Sequence, residues 1–357
     1  MHVCLCKSAH FVCSYDIYST LTMWPEEVRQ DLRAALTAKH QGFLDTSIRY
    51  YLRALQVAQT LPLDAWGKEP YLRITGISIA LAEAQEEKEL PAQAYETYKG
   101  ALEMLEKAEA RLSGEERLRG VALALKLGEL AETYSQPEAE EERWLTLGVN
   151  WVLKIASSQG QSQVQAKEKA AGAPSVDVAD LNLPGWITVS DVSAPLHALG
   201  AFYSRTGKLE YAMPLYLHAI SALIPPTAQR KQIPTENMCK GAELMSSLSE
   251  LIIREKTTAE RLHQAEAWAK QSVAILDKPE NADAPICAQS LGVAFFNLAS
   301  VLEMKSELVE AQQLFKKSLL QSKKLNHKEG ISEATLALRR LDRVQRASTR
   351  PKVTPDA

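Results

Sequence analysis

The sequence predicts an all-α protein built from stacked helical hairpins, and three observations carry that expectation. Ala, Leu, Glu and Lys dominate while β-branched runs are scarce, which favours helix nearly everywhere. Only 16 Gly and 16 Pro punctuate the 357 residues. Small and aromatic residues also recur at a fixed spacing. In "PLHALGAFYSRTGKLEYAMPLYLHAISALIPP" (195–226), Leu199 and Gly200 precede Tyr203, Ala212 follows Gly200 by twelve residues, and Tyr216 and Ala219 come next. Two helices meeting at these points account for the spacing. The small residues let the backbones approach, and the aromatic fills the gap between successive pairs.

The same spacing sets out the elements in order. Ala35, Ser47, Tyr51 and Ala54 define a first hairpin, and Ala82, Ala94, Tyr98 and Ala101 a second. A degraded third uses Leu127 and Gly128 with Trp144 and Leu147; Trp144 and Trp151 share one helix face, as interhelix packing requires. The segment 156–180, rich in Ser, Gln, Ala and charge, reads as a disordered insertion. Trp186 follows it, placed to plug the groove or cover an open end of the array. The segment 195–226 is the fourth hairpin. Leu248 and Ser249, with a second helix at 265–276 delayed by four residues, make the fifth, and Leu298, Ala299, Leu302, Ala311, Phe315 and Ser318 the sixth. The amphipathic segment 328–347, with Arg339, Arg340, Arg343 and Arg346, is a solvated capping helix. The expected domains are a disordered tail at 1–24, an N-terminal half at 25–155 with about three hairpins and a flexible linker at 156–185. A C-terminal half at 186–347, with about three hairpins and the cap, and a disordered tail at 348–357 complete the chain.

The run Leu199, Gly200, Tyr203, Ala212, Tyr216, Ala219 and Pro225 resembles the tetratricopeptide repeat (TPR). From Ser47 to Ala94 is 47 residues, longer than the usual period of about 34, so longer helices and loops are implied. The resemblance implies a right-handed superhelical solenoid of about six hairpins whose first helices line a concave surface.

Charge and motifs narrow the function. Lys plus Arg total 41 against 44 Asp plus Glu, so nothing global points to nucleic acid. No phosphate-binding loop, dinucleotide fingerprint, H-E-x-x-H or G-x-S-x-G motif occurs, and the expectation is a non-enzymatic protein with no cofactor. No run of about 18 uncharged apolar residues is read, so no membrane span is expected. The N-terminal 24 residues form neither a clean secretory signal nor an Arg-rich transit peptide. Five cysteines do not read as a disulfide framework. Cys4, Cys6, His10 and Cys13 could hold zinc, but their spacing matches no common module.

One TPR subclass grips the C-terminal carboxylate of heat-shock chaperones with Lys, Asn and Arg on first helices. The matching slots here hold Leu32 and Leu36, Ile79 and Glu83, Leu125 and Glu129, and His197 and Ala201, so no carboxylate clamp is expected. The partner-binding groove is expected at Ile79, Glu83, Leu125, Glu129, His197, Ala201, Arg205, Glu250, Arg254 and Phe296. Its mixed apolar and acidic character suits apolar or basic protein segments.

The segments 183–226 and 287–334, with "LPLDAWGKEPYLRITGISIALAEAQEE" at 61–87, resemble the fungal adaptor subunit of the mitochondrial inner-membrane i-AAA protease. That resemblance implies an array on the intermembrane-space side that binds unfolded or misassembled inner-membrane proteins and delivers them to the protease. The family's N-terminal tether is not seen in residues 1–24, which leaves a cytoplasmic location open. A respiratory-chain assembly factor and a cytosolic scaffold are the alternatives.

Overall fold

The computed structural model describes residues 24–164, 183, 185–225, 233–254, 258–281 and 284–349. Residues 1–23 and 350–357 of the predicted tails at 1–24 and 348–357, the Cys4–Cys13 cluster and most of the predicted linker lie outside the described residues, and the last helix reaches Thr349 inside the second tail. Thirteen α-helices and no strand occur among the described residues. The chain divides into two compact units that part between Ser158 and Gln159.

The first unit contains α1 (Glu26–His40), α2 (Leu44–Thr60), α3 (Pro70–Glu87), α4 (Pro91–Lys107), α5 (Gly114–Thr133) and most of α6 (Glu138–Val164). The second contains α7 (Val189–Arg205), α8 (Leu209–Leu223), α9 (Thr235–Arg254), α10 (Ala259–Leu276), α11 (Pro285–Met304), α12 (Leu308–Lys324) and α13 (Lys328–Thr349). Consecutive helices pair as antiparallel hairpins, and each hairpin packs on the next within its unit.

The recurring small residues sit where the helices touch. Ala35, Ser47, Ala54, Ala82, Ala94, Ala212, Ala219, Ala299 and Ala311 are all fully buried, and so are the neighbouring rings of Tyr51, Tyr98, Tyr216 and Phe315. At Gly200 a Cβ would lie 3.3 Å from two ring carbons of Tyr216, which is why the fourth hairpin needs its smallest residue there. The delayed fifth hairpin keeps the contact by a longer loop. Ser249 Oγ on α9 donates to the Ala265 carbonyl on α10 at 2.8 Å, and Ser272 Oγ returns a bond to the Ala242 carbonyl at 2.6 Å.

Turns are built alike. After α1, α3, α5, α7 and α11 the second residue beyond the helix, respectively Gly42, Glu89, Ser135, Gly207 and Ser306, has positive φ. The amide after each closes back onto the preceding helix, as in Phe43 N to Ala38 O at 2.9 Å and Glu307 N to Leu302 O at 2.9 Å. Between the second and third hairpins, Glu116 links two helices. Its carboxylate accepts from Ser113 N in the α5 capping box at 2.8 Å and from Tyr71 N in the first turn of α3 at 2.9 Å.

Three expectations need correction. The predicted linker at 156–185 begins inside a helix, because α6 runs on to Val164. Its Ala, Ser and Gln residues with a single Gly propagate a helix already nucleated by the packed turns before them. Trp186 is 38% exposed, outside the groove lining, and the neighbouring Ile187 is the buried residue. A helix long and apolar enough to span a membrane does exist, α11. Here it packs against α9, α10 and α12, and a helix surrounded on most sides is apolar for that reason.

Candidate functional site

A concave site lies in the second unit, where α9, α11 and the start of α13 enclose a groove of about 1000 Å³ floored by α12. On α11 the lining residues Ile286, Gln289, Val293, Phe296 and Ser300 fall three or four positions apart, one stripe of the helix. Val293 is half exposed, and the Phe296 ring packs 5.2 Å from that of Phe315. Glu243 and Glu250, two turns apart, line the groove from α9, and Glu329 and Glu333 from α13. The lining thus carries four carboxylates and no Lys or Arg among the described residues. Glu250 forms no ion pair among the described residues.

The walls are fixed by three links between α9 and α11. A disulfide joins the buried Cys239 and Cys287, with Cα atoms 5.0 Å apart. One turn on, Ser290 Oγ donates to Glu243 at 3.2 Å, and further along Asn297 Nδ2 donates to Ser246 Oγ at 3.0 Å and to its carbonyl at 3.2 Å. At the floor, Ser318 Oγ donates to the Gly292 carbonyl and Gln321 Nε2 to that of Ala288. Such a groove is largely preorganised, so less ordering entropy opposes binding.

Of the ten residues expected to bind a partner, the groove brings together Glu250 and Phe296. Ile79, Glu83, Leu125 and Glu129 belong to the first unit. There Lys39 pairs with Glu83 at 3.5 Å and Glu87 at 2.9 Å, and Lys126 pairs with Glu86 at 3.1 Å and Glu129 at 3.8 Å. Glu83, Glu86 and Glu87 thereby bind adjacent first helices to each other, while Glu129 pairs within its own helix. Leu32 is in the core rather than in a groove slot, while Leu36 is exposed. In the second unit, His197, Ala201 and Arg205 lie on α7, outside the lining. Burial pushes the His197 imidazole below its usual value against the opposing pull of Glu243. Burial also pushes the Tyr216 phenol, 5.7 Å from His197, up to about 12, with Glu250 adding to the effect. Arg254 Nη1 donates to Ser204 Oγ at 3.1 Å and so ties α9 to α7.

Sequence reasoning missed Glu243, Ile286, Val293, Glu329 and Glu333. The α11 stripe was readable as a helical face of period three to four. Glu329 and Glu333 were hidden because the last helix was read only as a cap, whereas its first turns are also a groove wall. No group of three metal-ligating side chains occurs among the described residues.

Neither protein-family models nor curated proteins give a match to this chain. Solved structures do. BtubC (BKLC) from P. vanneervenii superposes with a TM-score of 0.52 at 15% identity, covering 80% of this chain and 92% of that one. The fold is a TPR-like helical repeat. Kinesin light chain TPR-like repeats from Podospora anserina give a TM-score of 0.43 at 18% identity over 70% of this chain and 94% of theirs. The TPR2AB domain of yeast Sti1, in its pHSP90 complex, gives 0.29 at 12% identity over 88% and 98%.

Proposed function

We propose that this chain is a non-enzymatic protein-binding adaptor whose second-unit groove holds a protein segment of mixed apolar and basic character. The observation that carries the reading is the groove itself: exposed Val293 and partly buried Phe296 among four carboxylates, with no Lys or Arg in the lining among the described residues. Apolar side chains of the guest meet the α11 stripe, and its Lys or Arg residues meet Glu243, Glu250, Glu329 or Glu333.

The finer reading is delivery of unfolded or misassembled inner-membrane proteins to the i-AAA protease, on the intermembrane-space side of the mitochondrial inner membrane. The resemblance of 183–226 and 287–334 to that adaptor family supports it. A buried disulfide supports an oxidising location and counts against a cytosolic scaffold. A photo-crosslinker at Val293, expressed in mitochondria, tests the reading. Recovery of protease subunits with non-native inner-membrane proteins is expected; recovery of assembling respiratory-chain subunits alone would make the chain an assembly factor. In vitro, a labelled apolar–basic peptide should bind roughly tenfold or more weakly after the double change Glu250→Lys and Glu333→Lys, since each rim charge contributes up to ~1 kcal/mol. Unchanged binding would remove the groove from function.

A further inference from the structure

The outward face of α12 combines exposed aliphatic and basic side chains. Val309, Lys316, Leu320 and Lys323 recur at intervals of seven, four and three, so they form one stripe along the helix. Leu320 is 71% exposed and Val309 69%, the two most exposed large hydrophobic residues among those described. Lys324 extends the stripe at its end, and Lys328 opens the next helix.

These lysines are clustered and unpaired among the described residues; Lys68 and Lys107 in the first unit are unpaired as well. Elsewhere Lys39, Lys88, Lys99, Lys126, Lys240 and Lys305 all reach carboxylates on their own or a neighbouring helix. Lys316, Lys323, Lys324 and Lys328 pair with no carboxylate among the described residues. The imbalance is local. From 308 to 349 the sequence carries nine Lys or Arg and four Asp or Glu, and Glu329 and Glu333 among the four line the groove instead. The chain as a whole has net charge -3.

We propose that this stripe is a peripheral membrane contact for the surface of an anionic phospholipid bilayer. Charge complementarity selects an anionic partner. The way the apolar residues are displayed selects lipid over protein: Leu320 protrudes singly among Lys316, Lys323 and Lys324, Val309 stands two turns before Lys316 beside Glu310, and neither side chain lines the groove. Isolated aliphatic side chains can enter the boundary between headgroups and acyl chains while the lysine ammonium groups remain among the phosphates. Each lysine at an anionic surface contributes roughly a factor of five in partitioning, falling off within a Debye length. The contact is distinct from the groove, whose lining contains none of the stripe's residues.

Sedimentation of the full chain with vesicles tests it. Co-sedimentation is expected with phosphatidylserine–phosphatidylcholine vesicles, with little on pure phosphatidylcholine. The double variant Lys316→Glu and Lys323→Glu should lose about 25-fold or more in partitioning. A control with the same charge change at exposed positions of the first unit, Lys68→Glu and Lys107→Glu, should lose far less. Leu320→Gln, which keeps every charge, should also weaken binding, and Glu250→Lys should not. Helical circular dichroism identical to the parent confirms that each variant is folded. Equal vesicle binding by the Lys316/Lys323 variant and the control would overturn the proposal. Failure to bind anionic vesicles while a poly-glutamate peptide binds in a Lys316-dependent way would also overturn it and make the stripe a protein contact.

Discussion

Replacing Gly120 by alanine puts a methyl carbon inside the ring of Trp151. A Cβ at 120 would lie 1.8 Å from Trp151 Cζ3, 2.5 Å from Cε3 and 3.0 Å from Cη2. Trp151 is 2% exposed and cannot swing into solvent, so α5 and α6 must separate or the ring must leave its rotamer. Overpacking of this kind costs roughly 1 to 3 kcal/mol, and a rigid buried indole belongs at the upper end. Alanine returns up to about 1 kcal/mol of helix propensity, leaving a net loss of about 1 to 2 kcal/mol. Gly148 on the facing helix supplies the control. Its Cβ would meet the Ala124 methyl at 3.5 Å and the Val121 carbonyl oxygen at 3.9 Å, ordinary contacts, so Gly148→Ala keeps the propensity gain. The two variants should therefore move in opposite directions in urea melts followed by tryptophan fluorescence and by circular dichroism. A Gly120→Ala protein as stable as its parent would refute the packing of the third hairpin described above.

Glu116→Ala should cost about 2 kcal/mol, because two helix N-termini lose an acceptor, and Glu116→Gln less; denaturant midpoints decide it. Ser135→Gly should raise stability by about 1 kcal/mol, since its φ is 52° and glycine adopts that conformation freely; a lower melting temperature would contradict the turn geometry. Cys239→Ser should lower stability by about 4 kcal/mol for a 48-residue separation, and the untreated parent should show two fewer free thiols than the reduced protein. Because burial holds His197 below 6.5, the unfolded chain is the better proton binder, and its stabilising contribution is complete above that pH and lost as pH falls below it. Melting temperatures across that range should drop less in His197→Gln than in the parent.

Helix pairing was legible because close contact leaves little choice of residue: Ala212 and Ala219 are fully buried, and Gly200 faces the Tyr216 ring. Even the stretched fifth hairpin was placed, since Ser249 and Ala265 still meet across the longer loop. The groove was less legible. Exposed residues answer to a partner absent from the sequence, so Glu83 and Glu129 look like Glu250 on paper although ion pairs hold the first two. The disulfide was hidden for another reason. Counting thiols tests for a framework, whereas Cys239 and Cys287 are a single pair on equivalent turns of successive first helices, about one hairpin period apart.

That pair also changes how the second unit responds to a pull. A repeat array under tension gives way one neighbour at a time, each hairpin releasing its own length of chain. With Cys239 joined to Cys287, the 48-residue interval between them cannot be drawn out, and about 160 Å of contour stays withheld until the bond is reduced. A partner or motor tugging on either end would meet a hard stop at the groove, with α9 and α11 still side by side after their neighbours had unravelled.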